Sequence, residues 1–389
     1  MLRKDKRFRA GRPGLAAGRV VARLVVGLIY GGRSAEHEVS IASARSLVQA
    51  LDPRRYRLVP IAISRDGNWL RGIAPEQAAQ EGLPGAGSAQ AGDRLPPPPR
   101  RARRPHRPGP GDLARLLRGV DVVFPLLHGP YGEDGTVQGL LELAGIPYVG
   151  AGVSASAVGM DKALMKALFH EQGLPIPEFS VVRRGEWEKD RAGRLAFIAA
   201  VLGAPPFFVK PSNSGSSIGI SRVSTPEALV QAIDQACLYD RKVLVERAID
   251  AREVECSVLG NEDPIASVVG EIVPKGPFYD YASKYTEGGM SLVVPAALPP
   301  ELLEQTRELA LRAYRAIDCA GMARVDFFVR RTDLAVLVNE INTIPGFTAT
   351  SVFPKLWEAS GLPYPRLVDR LIELALERAA DRARSHPTA

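Results

Sequence analysis

Only three cysteines occur in the 389 residues: Cys237, Cys256 and Cys319. They are isolated, odd in number and without C-x-x-C spacing. This argues against a disulfide framework or a zinc site and for a reducing, cytoplasmic setting. No apolar run approaches the roughly 20 residues that span a bilayer, so no membrane partner is expected. The N-terminus is basic, but the apolar stretch at 20–29 is interrupted by Arg23 and runs straight into "GGRSAEHE". That reads as a first strand and not as a signal peptide. Two nucleotide signatures are also missing. No G-x-x-x-x-G-K-[ST] loop occurs, and no G-x-G-x-x-G follows the first strand. A P-loop and a dinucleotide fold are therefore not supported.

The net charge of +7 is unevenly placed. Residues 1–23 hold eight Lys/Arg and one Asp, and residues 94–118 hold eight Arg and one Asp. Each piece carries +7, which leaves −7 for the remainder. The basicity thus flanks the body of the chain, which argues against a nucleic-acid-binding core. Residues 1–20 lack apolar periodicity and read as a disordered basic tail. Residues 72–111, with "RLPPPPRRARRPHRPGPG", have the composition of a loop insertion and not of packed structure.

A chain of this length accommodates two or three domains. The first unit, 21–150, alternates strand (24–29), helix (39–51), strand (58–63), strand (120–129) and helix (135–144). That β-α-β order predicts a parallel sheet covered by helices. A second unit, 151–245, contains a helix at 160–172 and another from 226, opened by Thr225-Pro226 with Glu227 behind it. A third, 246–389, is strand-rich up to a helix at 301–316. Strands at 322–329 and 335–341 follow, and helices close the chain.

Strand side chains alternate, so residues two apart share a face. "ARVDFF" puts Arg324 and Asp326 on one face, and "VNEINT" puts Glu340 and Asn342 together. If these strands pair across the "RRTD" turn, two carboxylates, an amide and an arginine converge. That set suits Mg²⁺, a hard cation that favours oxygen; a solvent-facing polar row with an ion pair is the other reading. In "NTIPGFT", Gly346 offers a backbone N–H that, with Arg324, can hold an oxyanion; an ordinary turn reads equally from that stretch alone.

In "FFVKPSNSGSSIGI" the lysine precedes the glycines. The stretch fits either a phosphate loop of another kind, with Lys210 reaching in from a strand, or a polar turn. Glu246 in "KVLVERAID" and Glu253 in "REVE" are either nucleoside acceptors or surface acids. "GGRSAEHEVS" and "LLHGPYGEDG" are Gly-rich turns after strands, where α/β proteins place ligands, and Glu36 and His128 can meet there. "FYDYASKYTEGG" suits a mobile lid or a surface hairpin.

In order along the chain, "GGRSAEHEVS", "LHGPYGEDG", "GMDK", "KPSNSGSSIGI", "VLVERAI", "FYDYASKY", "ARVDFF" and "NEINTIPGFT" resemble the D-alanine–D-alanine ligase family of the ATP-grasp superfamily. The resemblance runs from about residue 25 to 372. It implies an α/β, three-domain ATP-grasp fold with an N-terminal parallel α/β domain (21–150, carrying the insertion), a central domain (151–245) and a C-terminal domain (246–389).

The activity it implies is ATP-dependent joining of two D-alanines through a D-alanyl phosphate, for peptidoglycan precursors. D-Ala–D-Ser or D-Ala–D-Lac ligation is the alternative. The resemblance further implies ATP between the central and C-terminal domains, with Lys162 and Lys210 on its phosphates. Glu246 and the backbone of Arg247 and Ile249 would hold adenine, and Glu253 the ribose. Asp326, Glu340 and Asn342 would hold two Mg²⁺ ions, for which Mn²⁺ can substitute.

For the substrates, Glu36 would bind the first D-alanine's ammonium, with His128 nearby, and Ser351 the second D-alanine's carboxylate. Ser216 and Tyr285 would join Glu36 in closing the lid, Lys284 would turn to the γ-phosphate, and Arg324 with Gly346 would hold the oxyanion. A homodimer is the family expectation. Two departures stand out. Serine precedes Lys284 in "ASKYT", and Arg247 replaces the lysine often found after the adenine glutamate. The Lys284–Tyr285 pair remains, and Tyr285 reads as favouring an amine over a hydroxy acid.

Overall fold

The computed structural model describes residues 22–83, 115–215, 218–274 and 290–385. The first sheet holds β1 (Leu24–Gly31), β2 (Tyr56–Ile63), β3 (Trp69–Arg71) and β4 (Val122–Leu126), in the order β3-β2-β1-β4. β1 pairs in parallel with β2 and β4, as the strand-helix alternation predicts, and β3 adds an antiparallel edge. β1 reads as a near-continuous apolar run because both its faces are covered. Val26, Leu28 and Tyr30 enter one core, and Val25 and Ile29 enter another.

The loop expected from residue 72 begins later. Pro75–Glu81 is a helix with Pro at its first position, and it buries Pro75 and Ala78. Proline fits there because its missing N–H has no intrahelical partner at that position. The Pro/Arg-rich stretch itself and the 1–20 tail lie outside the described residues.

The second sheet, order β5-β8-β6-β7, comprises β5 (Phe179–Arg183), β6 (Phe207–Pro211), β7 (Ser221–Val223) and β8 (Lys242–Arg247), all antiparallel. β8 continues in this sheet to Arg247, two residues past the expected boundary. Helices Arg191–Leu202 and Pro226–Tyr239 cover it around Trp187, Phe207 and Ile233. Thr225 caps the second of these, its hydroxyl accepting from the Ala228 N–H at 3.2 Å.

The third sheet, order β11-β10-β9-β12-β13, contains β9 (Ala251–Gly260), β10 (Ile265–Pro274), β11 (Met290–Val293), β12 (Gly321–Arg330) and β13 (Val336–Asn342). Helix Pro300–Ala316 packs on it with helices Val153–Met160 and Lys162–Glu171. One long helix was expected over 160–172. The chain instead breaks at Asp161, whose extended backbone and carboxylate cap the second helix.

The closing helices Val352–Ala359 and Tyr364–Arg382 share a core with the first sheet. All three cysteines are buried and free. Among the described residues no helix is long and apolar enough to cross a membrane.

Candidate active site

β12 and β13 pair as the alternation predicts, with Arg324 opposite Asn342 and Asp326 opposite Glu340. The four polar side chains therefore share one end of one sheet face. Arg324 meets Asp326 through two parallel bonds of 2.7 Å, Nε to Oδ1 and Nη2 to Oδ2. Its Nε also lies 2.8 Å from Glu255 Oε2, on neighbouring β9. Such forked pairing fixes the guanidinium plane. Asn342 Nδ2 donates to Asp326 Oδ2 at 3.0 Å.

Among the described residues no three His, Cys, Asp or Glu side chains form a metal cluster. The donor set here is two carboxylates and an amide. Oxygen donors on adjacent rigid strands fit Mg²⁺, and the cations Arg324 and Lys162 already lie against both carboxylates.

Lys162 opens helix Lys162–Glu171. Its Nζ lies 3.2 Å from Glu340 Oε2 and donates to Ser214 O at 3.1 Å, so it ties β13 to the Ser/Gly loop. One turn on, the same helix face carries Lys166. Its Nζ lies 2.5 Å from Glu246 Oε1 and donates to Asn339 O at 3.1 Å. Lys210, on β6, donates to Glu246 Oε2 at 2.5 Å. Glu246 is 1 % exposed. Burial opposes its charge, but Lys166 and Lys210 outweigh that and hold its pKa below the usual carboxylate value. The residue read as an adenine acceptor thus has both carboxylate oxygens engaged by lysines.

On the first sheet's side, Glu36 and His128 are both buried. The Glu36 carboxylate lies against Gly129 and Gly215, where an added Cβ would come within 2.8 and 3.0 Å of Oε2. Glycine at both positions lets two loops close on this one carboxylate. His128 Nδ1 lies 3.1 Å from Ile344 O, which can only accept, so the proton sits on Nδ1. Nε2, 3.3 Å from Ser43 Oγ, then accepts. Burial keeps this imidazole neutral, lowering its pKa. Near it, Glu133 Oε2 accepts from the Gly129 N–H at 2.6 Å. Burial, and then the charge of Glu36, push the Glu133 pKa up to about 8.

Residues from all three units of the chain line one cavity of about 500 Å³. Glu36, His128 and Glu133 come from the first, Lys162 and Gly215 from the central unit, and Arg324, Glu340, Asn342, Gly346 and Ser351 from the third. Ser351 precedes helix Val352–Ala359, and its hydroxyl accepts from the Thr348 N–H at 3.1 Å. Lys210, Glu246 and Asp326 are not among its lining residues. Glu253 is on β9, opposite Ile272 and Phe328. The Arg247 N–H donates to Glu178 O at 3.0 Å, so it is committed within the protein. Ile249 follows β8 in the turn to β9. Ser216, Lys284 and Tyr285 lie outside the described residues.

Sequence reading missed Lys166, Glu133 and Glu255. Lys166 carried one signal, its spacing of four from Lys162 on a helix. Glu133 stands within the "LHGPYGEDG" stretch, and nothing local marks its place in the cavity.

The family described as D-ala D-ala ligase N-terminus matches residues 25–151, and D-ala D-ala ligase C-terminus matches residues 168–373. The chain belongs to the D-alanine–D-alanine ligase family. It is 44 % identical over 363 residues to the D-alanine–D-alanine ligase of Natranaerobius thermophilus, covering 93 % of this chain and 98 % of that one. The corresponding ligase of Ruminiclostridium cellulolyticum is 46 % identical over 379 residues, 93 % of this chain and 97 % of that one.

Among solved structures, the ligase fold aligns with the D-alanine-D-alanine ligase from Coxiella burnetii. The TM-score is 0.74 at 34 % identity, over 93 % of this chain and 96 % of that one. The VanG D-Ala:D-Ser ligase from Enterococcus faecalis gives 0.75 at 33 %, over 91 % and 100 %. The α/β, ATP-grasp architecture read from the sequence is the one observed.

Proposed function

We propose that this ligase joins two D-alanines into D-alanyl-D-alanine, using ATP and passing through a D-alanyl phosphate. The product serves peptidoglycan precursor synthesis in the cytoplasm. The observation that carries the proposal is the single cavity shared by Glu36, Lys162, Arg324, Glu340 and Ser351 in a chain of this family.

A carboxylate is a poor acyl donor because its leaving group would be oxide. Phosphorylation supplies a better leaving group and makes attack by an amine feasible. In this proposal Glu36 binds the ammonium of the first D-alanine beside neutral His128, and Ser351 binds the carboxylate of the second. As the second amine attacks, negative charge collects on the carbonyl oxygen. Arg324, already fixed by Asp326 and Glu255, and the Gly346 N–H stabilise it without reorganising. Holding both substrates in one cavity raises their effective concentration, and a closed lid would keep water from the acyl phosphate.

ATP would be held by Lys162 and Lys210 on its phosphates, and by Glu246, Arg247, Ile249 and Glu253 on its nucleoside. Asp326, Glu340 and Asn342 would hold two Mg²⁺ ions, whose chemistry is to neutralise and polarise phosphoryl oxygens. Ser216, Lys284 and Tyr285 complete the proposed lid contacts, and a homodimer is the proposed assembly.

The test is phosphate release from ATP with Mg²⁺ and D-alanine, L-alanine, or D-alanine plus D-serine or D-lactate, with products identified by mass. The expected outcome is release with D-alanine alone and formation of the D,D-dipeptide. A folded, ATP-binding protein that releases no phosphate with D-alanine would overturn the proposal.

A further inference from the structure

Three buried charges lie together away from the residues that line the cavity. Glu246 and Lys166 are each 1 % exposed, and Lys210 is 8 % exposed. Each lysine Nζ is 2.5 Å from its own carboxylate oxygen. One carboxylate cannot balance two ammonium groups, so the trio carries a net +1. An uncompensated buried charge is costly, and the two cations repel each other across the shared carboxylate. Glu340 and Glu253 act on Lys210 from farther off and offset part of that charge. Glu340 is paired with Lys162, and Glu253 lies on β9. One lysine of the trio therefore has a reason to leave Glu246 when an anion arrives.

The surroundings decide which one. Lys166 is locked by a second bond. Between Asp326 and Phe327 the β12–β13 register skips Asn339, a bulge that leaves this residue without a cross-strand partner. Its carbonyl accepts from Lys166 Nζ at 3.1 Å. Lys166 thus has two fixed acceptors and no route to solvent. Among the described residues Lys210 has Glu246 as its one hydrogen-bonded acceptor, with its Nζ 5.7 Å from the Phe208 ring centroid. Its side chain is 10 % exposed.

We propose that Lys166 is a positioning residue, the permanent counter-ion of Glu246, and that its presence frees Lys210 to turn from Glu246 to a nucleotide phosphate. This rests on the reading of Lys210 as a phosphate contact. With Lys166 in place, Glu246 stays paired when Lys210 moves. Without it, Lys210 becomes the sole partner of a buried carboxylate and is held back from the ligand.

The experiment is calorimetric titration of the full chain with Mg²⁺ and a non-hydrolysable ATP analogue, with melting curves confirming the fold. Lys166→Met should weaken nucleotide binding about tenfold or more, the scale of a lost charge-assisted contact. In a Glu246→Gln background the same change should have no effect, because no carboxylate remains to trap Lys210. Equal weakening by Lys166→Met in both backgrounds, or in neither, would overturn the proposal.

If Lys166→Met alone does not fold, Glu246→Gln and the double variant still decide. Equal affinity is expected, and markedly weaker binding by the double variant overturns the idea. Lys210→Met is the separate control, for nucleotide binding at full strength in that variant would sink the phosphate reading itself.

Discussion

Glu133 and Glu36 line the same cavity, and two neighbouring carboxylates do not both ionise easily. Glu133 takes the consequence, its pKa rising from 4.5 to about 8. Burial is the larger cause and the charge of Glu36 the smaller. The folded value is above the unfolded one, so the stabilisation is complete below about pH 4.5 and disappears as the pH climbs through about 8. Glu133→Gln keeps an acceptor for the Gly129 N–H but cannot ionise. Its melting temperature minus that of the wild type should therefore rise steadily from about pH 5 to about pH 9. A difference that stays flat above about pH 6 would mean an ordinary carboxylate at this position.

Glu340 poses a different single-residue question. Lys162 satisfies it at 3.2 Å, and the proposed metal competes for the same oxygens. Glu340→Gln removes one of two anionic donors, so the Mg²⁺ concentration for half-maximal rate should rise about tenfold or more. An unchanged Mg²⁺ dependence would remove Glu340 from the metal set.

At the scale of elements, β12 joins the site to the rest of the fold at its first residue. Gly321 has φ +74°, and a Cβ there would meet the Gly150 backbone at 3.0 to 3.2 Å. Gly321→Ala would combine left-handed strain with a contact that backbone cannot relieve, at about 1–3 kcal/mol. Urea unfolding measures it, and a wild-type midpoint would show that the two segments part without cost.

The same strand shows what was legible in the sequence. Period-two alternation in "ARVDFFVR" and "VLVNEIN" set which side chains share a face, and pairing placed Asp326 opposite Glu340. The bulge at Asn339 was not legible, because one extra residue leaves the local alternation almost intact while shifting the register. The engagement of Glu246 was hidden for another reason. Its partners stand on a helix at position 166 and a strand at position 210, and no local pattern encodes a meeting of three separated elements. The break at Asp161 was missed because apolar spacing continues through it, while its cap depends on a side-chain bond to the Leu164 N–H.

On the scale of the whole molecule, the first sheet and the closing helices are one body. Val26, Leu28 and Tyr30 share a core with Trp357, Leu371 and Ile372. Polar contacts reinforce the seam: Tyr56 OH donates to Asp369 Oδ1 at 2.9 Å, and Arg378 Nη2 to Tyr148 O at 2.9 Å. The central sheet is built differently. Among the described residues, the buried members of its core all lie between Val182 and Val245. Described links from this sheet to helix Lys162–Glu171 and its cap include the ion pairs Lys166–Glu246 and Lys242–Asp161. A unit with its own core and polar attachments can open separately.

The tryptophans report on this division, since Trp187 lies in the central core and Trp357 in the shared one. In a Trp69→Phe background, Leu371→Ala should lower stability by about 2–5 kcal/mol, because Leu371 is fully buried in the shared core. Single-tryptophan variants then separate the signals. The Trp357 transition in urea should move to lower concentration while the Trp187 transition stays in place. If both move together, the cavity's walls unfold as one cooperative unit.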